Sequence, residues 1–238
     1  MRVWKFKGIY LKQGWLSPAY VTTDESGKIT NISDQHSAVV NEEINGFAIA
    51  PVTNAHSHAF QYGIAGLTEN IPQGQDHDNF WSWRDRMYRL ADQITPDQME
   101  SIAKMLYAEM LRVGYNHVVE FHYLRNDEKG NNYSNPNEMA DRLISAALKV
   151  GIKITLVPVY YRCSDFGKDP SEAQRRFQFS STDSYFKHIE SLSSTYASNS
   201  EVTIGYGLHS MRAATAQEIK EIISYNTEIP CHLHISEQ

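Results

Sequence analysis

From Phe47 onward, short apolar runs alternate with segments of helical length, and this alternation limits the fold more than any other feature of the chain. The apolar runs cover residues 47–58, 117–124, 153–162, 202–210 and 230–235. Between the later ones lie segments with helix start and stop signals. Thr95 stands as N-cap before Pro96, with Gln98 at the capping-box position, and Gly114 closes that helix near Val113. Further helices are expected over 137–150, closed by Gly151, over 181–196 and over 215–226. Strands alternating with helices imply a parallel sheet with right-handed crossovers. An open doubly wound sheet and a closed (β/α)8 barrel both fit the count. The polar residues favour the barrel, because His58, Tyr123, Arg162, His209 and Glu237 all fall at C-terminal strand ends. No Gly-x-Gly-x-x-Gly turn follows the first run to suggest a dinucleotide fold.

Two stretches depart from this rhythm. Residues 1–46 read as a small β-domain, with alternating apolar residues over 2–6, 19–23 and 28–32 separated by Gly14, Ser17-Pro18 and Glu25-Ser26-Gly27. That is too little for a self-standing sandwich and suits a domain completed by something else. Residues 61–94 read as a long irregular connection rich in Gly, Asn, Gln and Asp, of a length that is usually functional. The expected organisation is therefore α/β: a small β-domain over 1–46 and a partial TIM-type barrel of five strands over 47–238.

Composition narrows the function classes. A formal net charge of −6 without a basic block argues against a nucleic-acid partner. No apolar run approaches the roughly 18 residues of a membrane span, and Met1 to Gly8 has no secretory h-region. Cys163 and Cys231 form neither a disulfide framework nor a Cys-x-x-Cys pattern, and read as reduced thiols of a cytoplasmic protein.

The chemistry concentrates in two histidine pairs. In Asn54-Ala55-His56-Ser57-His58 the imidazoles lie two apart on a strand, so they project from one face and can grip a metal ion. A polar layer of hydrogen-bonded histidines is the competing reading. His232 and His234 share a face in the same way, and Glu237 follows three residues on. A third imidazole beside a carboxylate that shuttles protons is what metal-assisted hydrolysis needs. His234, nearer the strand end, is the expected ligand and His232 a packing or supporting residue, with Glu237 passing a proton from water to the leaving nitrogen. Of the remaining histidines, His36, His77, His117 and His188 read as solvated or structural, and the charges over 125–129 as a solvated loop.

Asn-x-His-x-His on the first strand with His-x-x-Glu on the fifth resembles the amidohydrolase superfamily, in its deaminase branch. Within it, four blocks are similar to the formimidoylglutamate deiminases of histidine breakdown: residues 54–61, Phe80-Trp81-Ser82-Trp83-Arg84, Glu120-Phe121-His122-Tyr123, and Gly207-Leu208-His209-Ser210-Met211-Arg212. Two positions depart from the family: Val52-Thr53 where glycine commonly follows the proline, and Arg125-Asn126 where histidines are frequent. The resemblance implies that N-formimidoyl-L-glutamate and water become N-formyl-L-glutamate and ammonia, with one Zn2+ per subunit on His56, His58 and His234. Imidazole suits iron as well. It implies Arg84 and Arg212 as clamps for the two substrate carboxylates, Gln61 and Tyr123 as hydrogen-bond partners, and His209 as a catalytic residue that holds or polarises the formimidoyl group. By residue type alone, Arg84 reads equally as a surface arginine among aromatics, Arg212 as a helix-start charge and Tyr123 as a rim aromatic. Trp81 and Trp83 are expected to pack a lid.

The same resemblance places a catalytic histidine and a metal-binding aspartate on later strands, beyond residue 238. A barrel of this kind takes about 250 residues by itself. The chain is therefore expected to be an N-terminal part of the enzyme, inactive alone, with strands one and five as exposed edges. A small dianionic substrate is the expected partner, and a homodimer accords with the habit of such barrels. Two alternatives stay open: a guanine- or adenosine-type deaminase, and a non-catalytic half-barrel serving as a binding or assembly module.

Overall fold

The computed structural model describes residues 1–36, 39–68 and 80–236. The chain divides into two compact units, Met1–Val52 and Thr53–Gln238.

The first unit is one five-stranded sheet. β1 (Arg2–Leu11) pairs antiparallel with β2 (Gly14–Leu16) and β3 (Ala19–Thr23), and β3 with β4 (Ile29–Ser33). On its other register β1 pairs parallel with β5 (Glu42–Ala48). The expected single strand over 47–58 is thus two strands. Phe47 and Ala48 belong to β5, opposite Gly8 and Ile9, and Phe47 packs edge-on against Trp15 at 5.3 Å. Pro51, which has no N–H to give a ladder, stands in the gap before β6 (Val52–Ser57). The first unit accordingly runs six residues past Gly46.

The second unit is a curled, mostly parallel sheet with helices against it, half of a barrel. Its strand order is β11–β10–β8–β7–β6, where β7 is Tyr115–His122, β8 Lys153–Tyr160, β10 Tyr206–Ser210 and β11 Cys231–His234. β9 (Val202–Ile204) also pairs with β8. The expected strand over 202–210 breaks at Gly205, whose N–H bonds to the Leu156 carbonyl at 2.8 Å. Strands β6 and β11 form the two edges of this sheet among the described residues. β8 is buried along most of its length, as a strand covered on both faces must be, and Ile154, Leu156, Val157 and Val159 are nearly inaccessible.

The helices follow from local signals. α2 (Pro96–Arg112) opens with a complete Thr95–Gln98 capping box and Pro96 in its first turn. α3 (Glu138–Val150) ends on Gly151 at φ 88°, a left-handed position that glycine takes without a Cβ penalty. α4 (Thr182–Tyr196) and α5 (Ala216–Tyr225) open on capping boxes at Ser181–Ser184 and Thr215–Glu218. Residues 61–94 are not irregular throughout. A 3-10 turn spans Ala59–Ile64, and Phe80–Gln93 is a helix, α1. Phe80, Trp83, Met87, Leu90 and Ala91 recur at helical spacing, and Met87 and Ala91 are buried.

The expectation of a solvated loop over 125–129 fails at its first two residues, which are buried. Both backbone N–H groups, of Arg125 and Asn126, donate to the Arg176 carbonyl at 3.0 and 2.9 Å. The Arg125 guanidinium lies 3.9 Å over the Phe179 ring and donates to Asn126, Asn132 and Gln178. Arg176 is buried as well, donating to the carbonyls of Asn126, Ala91 and Ile94 and to the Tyr133 hydroxyl. A loop whose backbone and terminal guanidinium nitrogens are answered from within can leave water, and within 125–129 only Glu128 and Lys129 remain exposed.

At the β10–β11 junction the strands approach closely. A Cβ at Gly207 would collide with the His232 carbonyl, and the register shifts between Gly207 and Ser210. Position 207 therefore needs glycine for space and not for backbone angle.

Candidate metal centre and adjoining cavity

β6 and β11, at opposite edges of the sheet, deliver three imidazoles to one point. His56 Nε2 lies 3.0 Å from His58 Nε2 and 3.1 Å from His234 Nε2. Among the described residues these three form the group able to hold a metal ion, with one nitrogen offered by each. The donor set fits. Nitrogens bound at about 2.0–2.1 Å to one ion sit roughly 3.0–3.4 Å apart, the spacing found here. His58 Nδ1 lies 3.0 Å from the Phe121 carbonyl, which can only accept, so the ring proton resides on Nδ1 and Nε2 presents its lone pair to the cluster.

Electrostatics keep the rings neutral, as ligands must be. Burial lowers the pKa of His58 to about 3 and that of His234 to about 4, with neighbouring imidazoles adding to the effect. His56 is lowered too, by burial and by His232. His232 takes no part in the cluster; its own pKa is lowered by burial. The Phe121 ring lies against all three imidazoles, with centroids 5.2, 5.4 and 4.6 Å from those of His56, His58 and His234.

Beside the cluster is a cavity of about 200 Å³. His58, Gln61, Arg84, Tyr123, His209, Arg212 and His234 all reach its wall, together with Phe80, Trp83, Met87, Tyr88, Tyr161 and Phe177. Gln61 donates to the Tyr123 hydroxyl at 2.9 Å. The Arg84 guanidinium lies 4.3 Å over Trp81 and 5.5 Å from the Tyr88 ring, and its buried Nε has no hydrogen-bond partner among the described residues. His209 is buried and its pKa is held well below the ordinary value, first by burial, then by His234 and Arg212. Its ring lies 4.6 Å from Tyr161 and 4.9 Å from His234. Of the two tryptophans expected to pack a lid, Trp83 lines the cavity and Trp81 is half-exposed beneath Arg84. Mostly apolar walls with a few convergent polar groups are the usual make-up of a small-molecule site.

Every site residue expected from sequence therefore meets at this one place except Glu237, which lies outside the described residues, as does His77. His36 stacks on Tyr20, His117 lies 2.9 Å from the Thr155 hydroxyl, and His122 and His188 are buried. Sequence reasoning gave no role to Phe121 or Tyr161. The signal for Phe121 was its alternation with Tyr123 on one strand face, which puts both on the histidine side.

No protein-family model matches the chain. It is 37% identical over 230 residues to formimidoylglutamate deiminase of Pseudomonas aeruginosa, a match that takes in 96% of this chain and 50% of that protein. Among solved structures, an amidohydrolase from Brucella melitensis superposes with a TM-score of 0.88 at 36% identity, over 100% of this chain and 52% of that one. Atrazine chlorohydrolase TrzN from Arthrobacter aurescens, complexed with zinc, shares the fold at a TM-score of 0.75 and 18% identity, over 99% and 52%. The chain spans about half the length of the relatives it matches. With the three-imidazole cluster and a near-complete alignment to a deiminase, the chain belongs to the amidohydrolase superfamily, in the branch that holds the deaminases and deiminases.

Proposed function

We propose that this chain supplies the metal grip and the substrate clamps of a hydrolase that converts N-formimidoyl-L-glutamate and water to N-formyl-L-glutamate and ammonia. The observation that carries this reading is the convergence of three imidazole Nε2 atoms beside a cavity walled by two arginines. The Pseudomonas relative bears the name of that activity. His56, His58 and His234 would hold the ion, and zinc is the choice because superfamily members carry it. A divalent ion held there would supply Lewis acidity, making water acidic enough to lose a proton near neutral pH.

The chain's own groups do the rest. Arg84 and Arg212 each take one substrate carboxylate, for which a planar guanidinium fork is the best-matched donor. The stacking of Arg84 on Trp81 fixes that fork before substrate arrives. The Gln61–Tyr123 pair fixes the polar end of the cavity. His209, neutral in its buried setting, holds the formimidoyl nitrogen by a hydrogen bond. Glu237 carries a proton from the attacking water to the departing nitrogen, so that one water enters and one ammonia leaves. The aromatic walls exclude bulk water from this exchange. A neutral purine would have no use for two guanidinium groups, which sets this reading above an adenosine-type deaminase.

Binding to the purified chain tests the proposal. One zinc per chain is expected by metal analysis after dialysis, lost in His56→Ala. Calorimetric titration of the zinc-loaded chain should show binding of N-formimidoyl-L-glutamate, weakened at least tenfold in Arg84→Ala and in Arg212→Ala. Zinc-free wild-type protein, or arginine variants that bind the dianion as well as wild type, would overturn it.

A further inference from the structure

Glu120 lies within β7 and is 1% exposed. An acid buried this deeply in an apolar strand carries a desolvation cost that needs an explanation. Burial raises its pKa to about 7, against the lowering influence of the Ala59 amide and the Ser57 and Tyr107 hydroxyls. No basic side chain is among these neighbours. Glu100, also buried, shows the contrast: Arg142, Lys149 and Lys104 surround it. Glu120 is therefore not a buried ion pair serving stability.

Its bond to the main chain points elsewhere. Glu120 Oε1 accepts the Ala59 N–H at 2.5 Å, a bond spanning 61 residues of chain. Ala59 directly follows His58, and it is where the backbone leaves β6 for the 3-10 turn. Phe121, directly after Glu120, accepts from His58 Nδ1 through its carbonyl at 3.0 Å. Two consecutive residues of β7 thus hold His58 from two sides, one through the ring and one through the next peptide. A ring held only at Nδ1 can still swing with its backbone; a ring held at both points cannot.

We infer that Glu120 is a positioning residue for the metal site, whose carboxylate fixes the His58–Ala59 peptide and thereby aims His58 Nε2 at the other two imidazoles. The inference rests on reading His56, His58 and His234 as metal ligands. Phe121 cannot substitute for it, since its carbonyl belongs to the ladder strand and its bond constrains the imidazole alone.

Zinc titration of the purified chain against a competing chelating dye decides the matter, with thermal unfolding of the metal-free proteins measured alongside. Glu120→Leu keeps the bulk and removes the acceptor; zinc affinity should fall roughly 10- to 100-fold, the usual effect of losing a group that orients a ligand. Glu120→Gln keeps an acceptor oxygen and should stay within about threefold of wild type. Glu120→Asp keeps the acid but withdraws it from Ala59, and should lose several-fold; it serves as the test if the leucine variant does not fold. Leu192→Ala, a buried residue of α4 outside the cluster, controls for general loosening. Wild-type affinity in the leucine or aspartate variant overturns the inference, and so does an equal loss in Leu192→Ala at matched melting temperature. Absence of zinc from the wild-type chain defeats the metal reading itself, a separate and recognisable failure.

Discussion

The first unit and the second answer the same problem, where to put apolar surface, in different ways. In the first, Val3, Ile9, Ala19 and Val21 are buried while Tyr10, Trp15, Ile29, Phe47 and Ile49 stand exposed. One face of its sheet forms an apolar hollow of about 530 Å³ lined by Trp4, Phe6, Leu11, Ile32, Ile44 and others. In the second unit, helices cover strands such as β8, and a continuous core runs from Phe60 through Leu143 and Leu156 to Ala213. A single sheet buries only a small cluster and leaves much apolar surface open without a second layer; alternating strands and helices bring that layer with them. The described residues of the candidate site belong to the second kind of packing, which gives them fixed supports.

The largest effect should come from thinning the deeper core. Leu143→Ala, at a position with no exposed surface, is expected to cost about 3 kcal/mol in urea unfolding. A loss below about 1 kcal/mol would mean that this core is not packed as described. Acid comes next, and it should act on the second unit. His122 and His188 there have pKa values lowered to about 3, first by burial, against an ordinary value of 6.5. Their stabilising contribution is present above pH 6.5 and is lost as pH falls toward 3, at most about 1.4 kcal/mol per pH unit for each group. His188→Gln should make the stability of the second unit less steep between pH 6.5 and 4; an unchanged slope would refute the assignment. Glu120 runs the other way. Its pKa is raised to about 7, so its favourable term is present below about 4.5 and lost as pH rises through 7. Stability of Glu120→Gln should hold level over that interval where wild type declines. The smallest effect belongs to the first unit: Ile9→Ala, facing an open hollow, is expected to cost about 1 kcal/mol. Hydrogen exchange read at amides of β3 and of α3 would sharpen the contrast, with β3 the faster.

Much of this was legible in the chain before any coordinates. Thr95, Gln98 and Gly151 mark helix ends by local hydrogen bonding, which sequence displays directly. His56, His58, Gln61, Arg84, Tyr123, His209, Arg212 and His234 were named from spacing and family blocks, and one cavity and its edge gather them. What escaped notice depends on partners far away in sequence. Arg125 looks like a solvated charge until Gln178, Phe179 and Asn132 are brought to it. Helix α1 was hidden because polar and charged residues dilute its apolar stripe. The support offered by β7 acts through a main-chain carbonyl and a buried acid, and a main-chain group leaves no mark in the sequence.

Gly207 gives the architecture a remote handle. It offers no ligand atom, yet the last strand can lie alongside β10 only because that position has no side chain. A single methyl group there would push the strand bearing His234 outward, taking one corner of the nitrogen triangle with it. The metal grip could thus be opened with every one of its ligands still in place, and the rings would differ from wild type only in where they stand.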